Sequence, residues 1–80
     1  MMSKVVKEMF EELGYKQYKP SYIIQYRKIN SSIDMHIIDF DMQRKIVFSY
    51  NNDLKPSGFD AEVHKAIHQQ MKELGWLEDE

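Results

Sequence analysis

Residues 21–50 constrain this chain more than any other stretch. They are rich in β-branched and aromatic side chains and are broken twice by short polar clusters, Asn30-Ser31-Ser32 and Asp41-Met42-Gln43-Arg44. That pattern predicts three short strands joined as an antiparallel meander. Side chains alternate along a strand, so each strand divides into two faces. Tyr22, Ile24 and Tyr26 share one face of the first strand, opposite Ile23, Gln25 and Arg27. Ile38 and Phe40 oppose Ile37 and Asp39 in the second, and Ile46, Phe48 and Tyr50 oppose Lys45, Val47 and Ser49 in the third. A three-residue loop at Asn30-Ser31-Ser32 would pair Ile29 with Ile33, Lys28 with Asp34, Tyr26 with His36 and Ile24 with Ile38. Apolar then meets apolar, and opposite charges meet near the turn. A two-residue second turn would put Asp39 on the face of Ile46, so a three-residue loop or a bulge is expected there. The expected sheet has one strongly apolar face, containing Ile38 and Phe48, and one mixed face.

The flanks read as helices that cover the apolar face. Ser3 is an expected N-cap, and Val5, Val6, Met9, Phe10 and Leu13 follow at helical spacing, with Lys4, Lys7, Glu8, Glu11 and Glu12 on the other side. Gly14 stands where a C′ glycine would end this helix, and Tyr15 follows as the residue that folds back over the last turn. Residues 16–20 read as a basic connector closed by Pro20. Beyond a loop dense in turn formers, Asp60 reads as an N-cap, and Val63, Ile67, Gln70, Met71 and Leu74 trace one stripe with Ala66 beside it. The ending Glu73-Leu74-Gly75-Trp76 echoes Glu12-Leu13-Gly14-Tyr15, which predicts one capping device used twice. Residues 78–80 are expected to be a frayed acidic tail. The prediction is a single α+β domain over residues 1–80. It is a two-layer α-β-β-β-α sandwich, with a three-stranded antiparallel meander and two helices on one face.

Size and composition narrow the function classes. Eighty residues make one core; a chain of this size buries about 60% of its unfolded surface and reaches a stability on the order of 3–5 kcal/mol. The absence of cysteine excludes disulfides and thiolate metal sites and fits a reducing cytoplasm, the expected location. No apolar run could span a bilayer, and Met1-Met2-Ser3-Lys4 lacks the apolar core of a signal peptide. A formal net charge of −2 gives no overall attraction to nucleic acid or anionic membranes.

The helix–strands–helix order resembles the double-stranded RNA-binding domain, whose topology is α-β-β-β-α. That family places a lysine cluster at the start of its second helix, where this chain has Asp60-Ala61-Glu62-Val63-His64-Lys65. The family's histidine-bearing loop between the first two strands is replaced here by Asn30-Ser31-Ser32. The resemblance therefore implies the fold without the phosphate contacts. The pieces Glu12-Leu13-Gly14-Tyr15, Ile38-Asp39-Phe40-Asp41, Lys65-Ala66-Ile67 and Lys72-Glu73-Leu74-Gly75-Trp76 look like small uncharacterised proteins carried by prophages and mobile elements of Gram-positive bacteria. That resemblance transfers no catalytic or ligand residues.

Candidate chemistry is sparse. Asp34, Asp39 and Asp41 could suggest acid–base work, but Asp34 is expected to pair with Lys28 and Asp41 to cap a turn. No nucleophile stands with a base and no glycine-rich phosphate loop occurs, so the chain is read as neither an enzyme nor a cofactor binder. The expected function is protein–protein interaction through the outer sheet face. There Ile23, Ile37 and Val47 would project with Met35 beside them, rimmed by Gln25, Arg27, Asp39 and Lys45, toward an unknown protein partner or a second copy in a homodimer. The alternative is nucleic-acid binding by the stretch from Tyr15 to Lys28, in which Lys16, Lys19, Arg27 and Lys28 interleave with tyrosines. His64 and His68 have the spacing of a helical metal pair, but Lys65 stands where a zinc-protease helix carries glutamate. Stoichiometric zinc is expected to leave the melting temperature unchanged; a rise that a His64→Ala variant loses would establish a metal site.

Overall fold

A computed structural model of the chain describes residues 5–77. The expected Ser3 cap and the acidic tail lie outside the described residues. The order is α1 (Val6–Glu12), β1 (Lys16–Tyr18), β2 (Ile23–Ser31), β3 (Asp34–Asp41), β4 (Ile46–Asn51) and α2 (Ala61–Glu73). The strands form one antiparallel sheet in the order β1-β2-β3-β4. The fold is α+β as expected, but the sheet has four strands rather than three. The additional strand is the segment read as a basic connector. Its polar residues carry no apolar alternation, because β1 is a short edge strand and lysines at an edge discourage pairing with other chains.

Both helices lie on one face. Val6, Phe10, Tyr15, Val63, Ala66 and Ile67 pack with Ile24, Tyr26, Ile38 and Phe40 into the core. The centre is aromatic. Phe10 stacks on Tyr26 with ring centroids 3.8 Å apart and meets Phe40 edge-on at 6.3 Å. Val5 was expected in the apolar stripe of α1 but is the N-cap residue and is exposed.

The two helix ends match each other. The Tyr15 amide donates to the Phe10 carbonyl and the Gly14 amide to the Glu11 carbonyl; Trp76 and Gly75 repeat this with Met71 and Lys72. Each is a Schellman motif, and each needs its glycine in the left-handed region, at φ 96° for Gly14 and 75° for Gly75. The folded-back residue then joins the core: Tyr15 meets Phe10 edge-on and Trp76 packs on Phe40. At the other end of α2, the Asp60 carboxylate accepts the Val63 amide at 3.0 Å, as its expected N-cap role requires.

The β2–β3 register differs from the expected one by two residues. Tyr26 pairs with Ile38 rather than His36, Ile24 with Phe40 rather than Ile38, Lys28 with His36 rather than Asp34, and Ile29 with Met35 rather than Ile33. Ser31 pairs with Asp34 across a tight Ser32-Ile33 turn, and an irregularity between Ile29 and Ser31 absorbs Asn30. A slip of two preserves side-chain direction, so the faces of β2 and β3 are as expected.

The β3–β4 connection reverses its strand. Asp41 pairs with Ile46, Phe40 with Val47, Asp39 with Phe48 and Ile38 with Ser49. Paired residues share a face, so Val47 and Ser49 point toward the helices while Ile46, Phe48 and Tyr50 point away. This corrects the expectation that Phe48 lies under the helices and Val47 lies outside. Val47 packs against the core, and Phe48 is 41% exposed. We predict that Phe40→Ala costs about 3–5 kcal/mol, whereas Phe48→Ala costs under about 1 kcal/mol. Urea unfolding in which Phe48→Ala is the more damaging substitution would overturn the assigned direction of β4.

Candidate interaction surface

With both helices on one side, the outer face of the sheet is uncovered. The register arranges it in rows: Ile23, Asp41 and Ile46; then Tyr18, Gln25, Asp39 and Phe48; then Lys16, Arg27, Ile37 and Tyr50; then Ile29 and Met35. Ile46 is 40% exposed, whereas Ile37, in the centre, is 7% exposed. A groove of about 390 Å³ runs along β4 between Phe48, Tyr50, Leu54 and Pro56.

The polar groups of this face are largely engaged with one another. The Arg27 guanidinium lies 4.3 Å above the centre of the Tyr18 ring and also bonds Gln25. That of Arg44 stands 5.7 Å from the centre of Phe48. The Tyr50 hydroxyl donates to Asp39 Oδ2 at 2.5 Å, while Asp39 Oδ1 is buried without a hydrogen-bond partner. Burial first, and the neighbouring Asp39 second, push the Tyr50 hydroxyl up to about 12.

Asp41 is the best-satisfied carboxylate of the sheet. Its Oδ1 accepts the Gln43 and Arg44 amides at 3.0 and 3.1 Å, and its Oδ2 accepts Arg44 Nε at 2.9 Å. The Arg44 amide bond, reinforced by the guanidinium, holds the carboxyl below its usual range. Asp41 therefore closes the turn, as expected.

Of the residues expected at an interaction surface, Ile23, Met35 and Ile37 do lie on the outer face, and Val47 does not. The sequence reading missed Ile46 and Phe48, which the Asp41 turn signal could have found. The basic stretch is split. Lys16 and Arg27 are on the outer face and Lys19 follows β1, but Lys28 is on the helix side. There the Lys28 stem runs beside Gly14, and its ammonium lies 5.7 Å from the centre of the Tyr15 ring. Lys28 pairs across the sheet with His36 and makes no ion pair with Asp34.

On the helix side a chain of hydrogen bonds crosses the sheet under the α2 N-terminus. The Ser49 hydroxyl donates to the Ser57 carbonyl at 2.7 Å, so its oxygen is left to accept from His36 Nε2 at 2.7 Å. His36 Nδ1, then unprotonated, accepts from the Tyr15 hydroxyl at 2.5 Å. A second chain runs from Gln17 to the Tyr26 hydroxyl and on to Gln70 Oε1, at 2.9 and 2.7 Å, tying β1 and β2 to α2. His64 stacks on Phe59, and among the described residues no three His, Asp or Glu side chains converge as metal ligands would. A second groove, of about 380 Å³, lies between the helices over Met9, Leu13 and Ala66, with Glu12, Glu62, Lys65 and Gln69 around it.

Charge is segregated by layer. Residues 15–59 carry seven Lys and Arg against four Asp, whereas residues 5–14 and 60–77 carry three Lys against six Asp and Glu. No helix among the described residues is long and apolar enough to cross a membrane. No protein-family model matches the chain, and comparison with curated proteins and with solved structures finds no match.

Burial, then the nearby Lys28 charge, depresses the His36 pKa below its ordinary 6.5, with Asp34 opposing. The unfolded chain therefore takes up this proton at a higher pH than the folded one. The stability from neutral His36 is present above about pH 6.5 and falls as pH drops through the folded value. NMR titration is expected to place the His36 midpoint below 6.5, with a lower melting temperature at pH 5 than at pH 7. A midpoint at or above the ordinary value would contradict the buried neutral ring.

Proposed function

We propose that this protein is a non-enzymatic interaction module, acting in the cytoplasm by binding another protein through the outer face of its sheet. The observation that carries this reading is the row geometry. Ile46, Phe48, Ile23 and Ile37 lie in neighbouring rows around Asp39 and Asp41, and Tyr18, Gln25 and Arg27 form the polar margin. Apolar side chains mixed with internally paired polar groups and edged by polar residues are compatible with a protein interface. Of these apolar side chains Ile46 and Phe48 are exposed, at 40% and 41%, and two large apolar side chains left open beside each other are what a partner could cover. The pieces Ile38-Asp39-Phe40-Asp41 and Lys72-Glu73-Leu74-Gly75-Trp76 resemble small prophage and mobile-element proteins, and an origin of that kind is part of this proposal.

Nucleic-acid binding is the second reading, favoured by Lys16, Tyr18 and Arg27 lying together on the same face. Two features weigh against it. The faces of Tyr18 and Phe48 on which bases would stack already hold guanidinium groups, and Asp39 and Asp41 stand within the field.

The test is an Ile46→Lys, Phe48→Lys double variant. It is expected to melt within a few degrees of the parent and to lose most of the parent's binding of a fluorescent apolar-surface dye. A variant destabilised like a core mutant would show that this face is internal. Parent binding to single-stranded DNA or RNA that weakens steeply with salt would shift the reading to nucleic acid.

A further inference from the structure

The sheet ends at β4, and three features converge on that edge. The first is an open ladder. Along a strand, alternate residues turn their N–H and C=O groups to opposite sides. Ser49 and Asn51 turn theirs outward, where the Ser49 carbonyl accepts from the Ser57 amide and the Asn51 amide donates to the Lys55 carbonyl. Tyr50 pairs with Pro56, so residues 55–57 lie along β4 as a short added strand. Val47, two residues before Ser49, turns its N–H and C=O the same way, and no described residue bonds to them. The second feature is Leu54. It has φ 62°, a left-handed conformation that strains a leucine, yet its side chain is 77% exposed. Asn51 fixes it there: its side chain accepts the Asp53 and Lys55 amides at 2.9 and 3.1 Å, and its carbonyl accepts the Leu54 amide at 2.9 Å. The third is the groove of about 390 Å³, lined by Leu54, Pro56, Phe48 and Tyr50. Lysines and prolines guard sheet edges against chance pairing, as Lys45, Lys55 and Pro56 do here. A strained, exposed leucine beside an apolar groove adds nothing to such a guard.

Resting on the interaction reading above, we infer that this edge takes an extended segment of a partner protein as a further strand, beside Val47 and in line with residues 55–57. The unmet groups select the occupant, because open N–H and C=O groups at a sheet edge are complemented by another extended backbone. Paired residues share a face, so alternate side chains of the segment come to lie toward Phe48, where the groove suits apolar ones. Lys45 stands at one end of β4 and Lys55 opposite Asn51 at the other, and neither is ion-paired among the described residues. Asp53 is the one carboxylate of that loop. A segment with carboxylates between its apolar residues therefore fits best. A second β4 cannot pair along its length here, since residues 55–57 occupy the line beside Ser49 and Asn51.

Amide exchange followed by NMR tests this. The probe is a pool of short acetylated peptides that alternate leucine, valine or phenylalanine with glutamate or threonine. In the free protein the Val47 amide is expected to exchange fast, while those of Phe48 and Tyr50, turned toward β3, are protected. Peptide is expected to slow exchange at Val47 and Ser49 and to shift Phe48 and Leu54. N-methylating the peptide at alternate positions, in one of the two phases, keeps its side chains and is expected to weaken binding about tenfold or more. Leu54→Gly relieves the left-handed strain; it is expected to melt within a few degrees of the parent and to bind peptide less well. A Val47 amide already protected in the free monomer overturns the inference, as does a pool in which nothing binds or in which both methylated phases bind unchanged. So does a Leu54→Gly protein that melts far below the parent, which makes the leucine part of the fold. Protection of Val47 that rises with protein concentration alone overturns it in favour of a second copy. Peptide shifts at Ile23 and Ile37 without protection of Val47 overturn the edge and keep the interaction reading, which the Ile46→Lys, Phe48→Lys variant decides separately.

Discussion

The structure depends on how Asp41 closes the turn between β3 and β4. Its carboxylate holds the Gln43 and Arg44 amides and the Arg44 side chain, and its carbonyl accepts the Lys45 amide at 2.8 Å. Lys45 takes the left-handed conformation, at φ 58°, that brings the chain back into the ladder at Ile46. Residues 42–45 thus make an even-numbered loop, and its parity fixes which side chains of β4 meet the helices. An odd-numbered loop would bury Phe48 and expose Val47, and the outer face would lose its largest apolar residues. The exposed apolar side chains of the outer face follow from that turn.

The opposite layer is held by two mutually supporting devices. Neither helix is long enough to be stable alone, and α1 spans seven residues. Each is finished by a Schellman motif whose folded-back aromatic becomes part of the core, so ending the helix and packing it are one event. Tyr26 does comparable work from the sheet: its ring stacks on Phe10 while its hydroxyl accepts from Gln17 and donates to Gln70. A buried hydroxyl would be costly if unpaired, and here both of its capacities are used.

Much of this was legible in the residues. The helices, the repeated Leu-Gly-aromatic ending, the Asp60 cap and the faces of β2 and β3 all follow from local chemistry and period. The rest depended on contacts that sequence does not announce. β1 has no apolar period because one side chain, Gln17, carries its inward contact through a hydrogen bond. Lys28 opposite Asp34, the pairing that the charges suggest, is a weak exposed attraction that the tight turn at Ser32-Ile33 outweighs. The direction of β4 is hidden in the sequence because Ile46, Phe48 and Tyr50 look more like core than Val47 and Ser49. The Asp41 turn overrides that preference and puts Ser49 where His36 needs an acceptor. The candidate surface was therefore legible in Ile23 and Ile37 and hidden in Ile46 and Phe48.

The side chains that β4 turns outward, Ile46 and Phe48, link the fold to the proposed role. Their exposure stands on the direction of β4. Solvent paramagnetic relaxation on isoleucine and valine methyl groups, using a soluble gadolinium chelate, measures it most directly. The account predicts strong relaxation at Ile46, weaker relaxation at Val47 and little at Ile38. Strong relaxation at Val47 with protection of Ile46 would contradict it and place the other face of β4 toward solvent.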